Sequence, residues 1–193
     1  MLIAQKPFQR QDMPLMRGVI WVSRPPVSPP LGVSGQPPFI ASSLNEGAEV
    51  LLALWSDASA TALHGHVDMG TGLRTALTQM VAEELSFELS RVHMVMGHTA
   101  VSPNQGATIA SNSIQTHAKP LQCAAAQILL WGLDQSAQYF GVSANDVRYG
   151  EEGFHVLANG HAAKGLLDQT AQKRFLSWSE LLLDQNIALS LDL

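Results

Sequence analysis

One cysteine, Cys123, stands in the 193 residues, so the chain can form no internal disulfide and no all-cysteine zinc or iron–sulfur site. Charge is scarce too: Asp, Glu, Lys and Arg make up only 14% of the residues. A formal net charge of −5 and a pI near 5.7 exclude a general nucleic-acid binder, which needs a cationic face. They do not exclude a phosphate-bearing ligand, because backbone amides bind phosphate without lysines. No apolar run approaches the roughly 18 residues of a membrane span; the longest, Cys123 to Leu133, is interrupted by Gln127. No basic run followed by an apolar stretch opens the chain, which makes cytoplasmic residence the expectation, with the periplasm reachable through a partner chain. There are no internal repeats, and beyond Pro38 the only prolines are Pro103 and Pro120.

Hydrophobic residues, by contrast, make up 46% of the chain, and the mean hydropathy is +0.08. A length of 193 residues suits one domain with a substantial core. Low charge with high apolar content also suits a domain that buries surface against a partner. Pro7, Pro14, Pro25, Pro26, Pro29, Pro30, Pro37 and Pro38 crowd the first forty residues. A stretch short of so many backbone donors is expected to lie outside any sheet or helix. Residues 1–45 are therefore read as an extended arm, and Leu15, Met16, Ile20, Trp21, Val22 and Phe39 suggest that it wraps this domain or a partner.

Residues 46–193 read as the compact part, of the α+β class: a small mixed or antiparallel sheet packed against two long helices. Glu49–Trp55 and Thr61–Val67 are expected as strands joined by a polar turn at Ser56–Ser59. Leu73, Ala76, Leu77, Met80, Val81 and Leu85 recur every three or four residues, the stripe of a helix lying on a sheet. Val92, Met94 and Met96 alternate with His93 and Val95 as in a strand. Gly97–Asn112 reads as a long loop, and Ile114–Tyr139 as mostly helical, with Pro120 marking a kink or a start. Asp146–Tyr149 and Phe154–Leu157 suggest a hairpin. Ser177 and Glu180 form a capping-box pattern before a last helix near Ser179–Gln185.

Two polar, glycine-bearing loops each run into a helix. Gly70-Thr71-Gly72 offers backbone amides and the positive end of a helix dipole to an anion, although a plain glycine turn with a helix cap has the same shape. Gln105, Gly106, Thr108, Ser111 and Ser113, with Asn112 and Gln115 as weaker candidates, could satisfy a polar ring or a pyrophosphate by neutral hydrogen bonds. An ordinary Ser/Thr turn is the alternative.

Other candidates are weaker. His64 and His66 share one strand face, a spacing that could ligate a metal, but no third ligand stands at a recognisable interval. The neighbouring carboxylates Glu83-Glu84 diverge by about 100° on a helix and cannot share a substrate; Glu151-Glu152 falls in a turn, where solvation is the ordinary expectation. Cys123 reads as a buried helix residue rather than a nucleophile.

Three ordered motifs give the loops a more specific meaning. His66–Leu85 (HVDMGTGLRTALTQMVAEEL), Arg91–Thr99 and Pro103–Ser113 together resemble the molybdopterin-binding subunit of the xanthine dehydrogenase/aldehyde oxidase family. The likeness is greatest to its nicotinate dehydrogenase and isoquinoline 1-oxidoreductase branch. It extends from about Glu46 to the C-terminus and takes in Ser177–Leu182. The resemblance implies that Gly70, Thr71 and Gly72 approach the molybdenum end of a molybdopterin, in its mononucleotide or cytosine-dinucleotide form. It implies that Gln105, Gly106, Thr108, Ser111 and Ser113 meet the pterin or nucleotide portion. Thr71 stands where glutamine is usual, so its contact would be shorter or water-mediated.

Family subunits are several times longer, and their catalytic glutamate lies far beyond the matching region. The resemblance therefore implies a split-gene subunit or a fragment, not catalytic alone. It would share its cofactor with a longer chain and work beside a [2Fe–2S] subunit in water-derived hydroxylation of an N-heteroaromatic or an aldehyde. The alternative is a cofactor-free module of the same descent that binds only a protein partner.

Overall fold

The computed structural model describes residues 18–25, 49–150, 153–157 and 175–191. Most of the proline-rich segment and the Glu151-Glu152 pair lie outside them.

A five-stranded sheet carries the main core, in the order β4-β3-β2-β1-β8. Its strands are β1 (Val19–Arg24), β2 (Glu49–Trp55), β3 (Ala60–His64), β4 (Val92–Met96) and β8 (Asn186–Ser190). The pairs β1–β2 and β2–β3 are antiparallel, while β1–β8 and β3–β4 are parallel. Every residue of β2 is buried, as befits a central strand covered on both faces. One face holds Ile20, Val22, Leu52, Leu54, Ala60, Ala62 and Met94 against α1 (Leu73–Leu85) and α3 (Ala118–Phe140). The other face holds a smaller cluster of Val19, Val50, Ala53, Trp55, Leu63 and Val101. The pairing skips Leu51 beside Val22 and Ser23, a bulge that lets Leu51 and Leu52 both join the helix-side core.

Beyond α3, a second sheet of β5 (Val147–Gly150), β6 (Gly153–Val156) and β7 (Phe175–Ser177) is antiparallel throughout. Gly132 of α3 lies against Phe154 and Trp178, whose rings meet edge to face with centroids 4.9 Å apart. Helix α1 begins where a stripe of apolar residues follows Gly72 and ends at Ser86, in left-handed backbone. Helix α3 stops at Gly141, also left-handed, which returns its amide to Ala137 and Gln138.

The mixed sheet and the two long helices, α1 and α3, agree with the α+β expectation. Five details differ. Val19–Arg24, inside the segment expected to stay out of any sheet, is an inner strand between β2 and β8; Leu15–Arg24 contains no proline, so nothing there bars a ladder. Strand β3 ends at His64 rather than Val67, because the amides of Gly65 and Val67 turn to side chains of another loop. The expected helix over Ile114–Tyr139 is two helices, α2 (Asn112–Gln115) and α3, broken at Thr116-His117, with Pro120 in the first turn of α3 where its missing N–H costs nothing. The last helix, α4, spans Trp178–Leu181 and carries the expected capping box between Ser177 and Glu180. Cys123 is only partly buried and is free.

Candidate functional site

The site forms at the C-terminal ends of β3 and β4. Strand β3 delivers Gly65 to Gly72 as a loop, α1 leaves from that loop, and Gly97 to Ser111 passes beside it into α2. The loops are joined by side chains. Gly65 N donates to Gln105 Oε1 at 2.7 Å, and Val67 N donates to Thr108 Oγ1 at 3.0 Å. His66, fully buried, bridges Ser113 Oγ (2.7 Å, from Nδ1) and the carbonyl of Gln105 (3.1 Å, from Nε2). A Cβ on Gly65 would strike the Pro103 carbonyl, so only glycine permits this approach.

The second loop has its own anchor on β1 and β2. Glu49, 3% exposed, accepts from Arg24 Nε at 3.1 Å and from the Asn104 amide at 2.7 Å. The Arg24 guanidinium also reaches the Asn104 carbonyl at 3.4 Å. Ala110 and Ser111 both sit in left-handed backbone, at φ 52° and 56°. Such strain persists only where surrounding contacts hold it, and it aims the chain into α2.

Asp68 organises the glycine turn. Its Oδ1 accepts from the amides of Gly70 and Thr71, each at 3.0 Å, and Oδ2 accepts from the Arg74 amide at 2.9 Å. The Thr71 hydroxyl also leans on Asp68, at 3.4 Å. These bonds, that from Arg74 foremost, hold the Asp68 carboxyl below the usual carboxylate range. The expectation that Gly70-Thr71-Gly72 presents free amides is thereby corrected: two are already occupied by a carboxylate. Among the described residues the Gly72 amide has no acceptor.

The eight residues expected at the site divide by orientation. Gly70, Thr71, Gly72, Gly106 and Ser111 are exposed. The three glycines have positive φ, and nothing lies within 4 Å of the place a Cβ would take. Gln105, Thr108 and Ser113 instead turn their side chains inward as loop-to-loop struts. The backbone over the glycines is thus open on its outer side, while the struts join the two loops.

Sequence reasoning missed Asp68, Glu49 and Arg24, and weighed His66 only as a metal ligand. The Asp-x-Gly order of Asp68 and Gly70 is a turn signal, but nothing local reveals a strut reaching forty residues away. The histidines also gather in space: ring centroids lie 4.7 Å apart for His66–His117, 5.4 Å for His64–His66 and 6.4 Å for His64–His117. His66 has both ring nitrogens engaged, and among the described residues no group of His, Cys, Asp and Glu could hold a metal ion.

Two polar loops with open glycines thus stand side by side at the mouth of a mixed sheet. Residues 27–189 match the family described as the molybdopterin cofactor-binding domain, and the chain belongs to that family. Among curated relatives, a nicotinate dehydrogenase subunit of Pseudomonas putida is 45% identical over 111 residues, 58% of this chain and 9% of that protein. Mouse xanthine dehydrogenase/oxidase is 32% identical over 91 residues, 47% of this chain and 7% of that protein. The chain thus spans a tenth or less of the length of these relatives. Among solved structures, Cu,Mo-CO dehydrogenase superposes with a TM-score of 0.51 at 24% identity, over 66% of this chain and 15% of that one, a likeness of fold.

Proposed function

We propose that this chain supplies one wall of a molybdopterin site within a molybdenum hydroxylase, acting on an N-heteroaromatic or aldehyde substrate. The observation that carries the reading is the juxtaposition of the two loops, with Gly70, Gly72 and Gly106 all open on their outer side. The backbone at Gly70–Gly72, the Thr71 hydroxyl, Gly106 and Ser111 would face the cofactor, and Gln105, Thr108 and Ser113 would hold the cradle's shape. When bound, molybdopterin supplies the metal that activates water and takes up the electron pair from substrate carbon. The chain's own part is to bind and orient that group, with Asp68 keeping the turn set.

The remainder of the site would come from a longer molybdopterin-subunit chain and an electron-transferring [2Fe–2S] subunit. The relative in Pseudomonas putida is itself named as a subunit, which supports a multi-chain setting. Exposed apolar side chains on the same loops, Met69 at 68% and Ile109 at 59%, support a covering partner. No helix among the described residues is long and apolar enough to cross a membrane; residence in the cytoplasm, or in the periplasm beside a partner, is part of the proposal.

A second reading, a module that binds only protein through those apolar side chains, is separated by one experiment. Gly70→Val and Gly72→Val, introduced into the assembled complex, should lower bound molybdenum and pterin at least tenfold while the subunits still co-purify. Thr71→Ala should leave metal content nearly unchanged. Full molybdenum in both glycine variants, or none in the wild-type complex, would leave only the protein-binding reading.

A further inference from the structure

The histidines at the end of β3 are not among the groups that face the cradle, yet they hold its two walls together. His66 is fully buried and makes both ring contacts to the Pro103–Ser113 loop, at 2.7 Å and 3.1 Å. Its own amide donates to Nδ1 of His64 at 3.2 Å. That bond fixes the tautomer of His64: Nδ1 is an acceptor, so the proton sits on Nε2. Nε2 is buried and has no partner among the described residues. Protonating His64 at Nδ1 would therefore remove the acceptor for the His66 amide and place a charge in a buried pocket, a cost that outweighs the favourable contact with the Ser113 backbone.

We propose that His66 is the positioning residue that clamps the Pro103–Ser113 loop onto the Gly65–Gly72 loop, and that the clamp holds only while His64 and His117 are uncharged, so that the walls part on acidification. The inference concerns the protein alone and stands whether or not the loops carry a cofactor.

The surroundings offer no counter-charge that would reward protonation. From β3, His64 and His66 face each other, and from the start of α3, His117 packs edge-on against both. From β1, the Arg24 cation opposes protonation of His117. From β2, the Glu49 carboxylate has its two oxygens taken by Arg24 and the Asn104 amide. The loop Pro103–Ser113 has no titratable side chain of its own. Burial first, then the neighbouring imidazoles, lowers His64 from 6.5 to about 4, and burial with His66 and Arg24 lowers His117 as well. A histidine held low in the clamped form takes up its proton more readily once released. The clamp is then intact above pH 6.5 and weakens as pH falls from 6.5 toward 4.

Amide exchange on the full chain reads this directly, because the Gly65 and Val67 amides are bonded to Gln105 and Thr108 of the opposing loop. Protection factors, corrected for intrinsic exchange, would be compared at pH 7.5 and pH 5.0, with the β1–β2 ladder as internal control. From His64 alone, a move from 6.5 to about 4 predicts a loss of about thirtyfold at Gly65 and Val67 between these pH values. The ladder should keep its protection. His66→Phe should strip protection from both amides at either pH. His117→Gln, which leaves the clamp's own bonds in place, should keep them protected at pH 7.5 and make the loss at pH 5.0 smaller. The proposal is overturned if wild-type protection is flat across this range, or if the ladder opens together with the loop. It is equally overturned if His117→Gln leaves the loss at pH 5.0 as large as in the wild type, a result that needs no folded His66→Phe variant.

Discussion

Asp68 shows how one side chain can settle what a motif offers. By taking the Gly70, Thr71 and Arg74 amides, it fills the position in which an anion would otherwise be held. Asp68→Ala should loosen the turn, seen as faster exchange of those three amides, without disturbing the β1–β2 ladder. Because the folded Asp68 carboxyl titrates below its ordinary value of 3.8, its contribution is present above that pH. It disappears as pH falls through the lowered folded value; the same three amides should lose protection over that acid range. Glu49→Ala is a different kind of test. It leaves the Arg24 guanidinium, with 11% of its side chain exposed, without its partner, and unpairing a buried charge costs about 3–5 kcal/mol, measurable by urea unfolding. The partners of Glu49, Arg24 and Asn104, lie far from it in sequence, which is why it escaped a reading by motif; those of Asp68 are local, and its Asp-x-Gly order was the one signal of its role.

Elements were more legible than contacts. The apolar stripe from Leu73 to Leu85 and the alternation around Met94 follow the periods of helix and strand, so α1 and β4 could be placed from spacing alone. The capping box at Ser177 and Glu180 is equally local. Strand β1 was obscured by the prolines on either side, although its alternation of Val19 and Trp21 with Ile20 and Val22 matches the two faces it covers. Strand β8, with its alternately exposed residues, has too weak a pattern to announce an edge. Removing residues 186–190 would leave β1 at the edge, with its backbone groups unpaired; we expect concentration-dependent association, detectable by light scattering. Between elements, α3 meets the second sheet through Gly132, where a Cβ would press on Phe154 and Trp178. Gly132→Ala should cost about 1–3 kcal/mol through overpacking, read as a lowered midpoint of thermal unfolding.

At the scale of the molecule, family and cofactor class were legible because three motifs fall in order over much of the chain, and residues 27–189 match one family. Which of the expected residues turn outward was not, since orientation depends on how loops dock. The chain corresponds to 9% of its Pseudomonas putida relative, and as part of the proposed function we expect no hydroxylation of nicotinate, isoquinoline or an aldehyde by this chain alone. Turnover by the purified chain reconstituted with molybdopterin would refute that. The role expected of the arm changes too: removing residues 1–24 would take away a strand between β2 and β8, so the truncated chain should fail to fold rather than merely lose a partner. Circular dichroism of the truncated chain would tell the two outcomes apart.

The parallel pairing of β1 with β8, from Val19 opposite Asn186 to Ser23 opposite Ser190, has a consequence in time. A ribosome makes β1 well before β8, so the sheet lacks its closing strand until the whole span between them has been synthesised. Contacts so distant along the chain slow folding, and until they form the open side of β1 can engage other nascent chains. The protein should therefore depend on chaperones that shield extended segments during translation. Pulse labelling during refolding should show the α1 amides protected well before those joining β1 to β8.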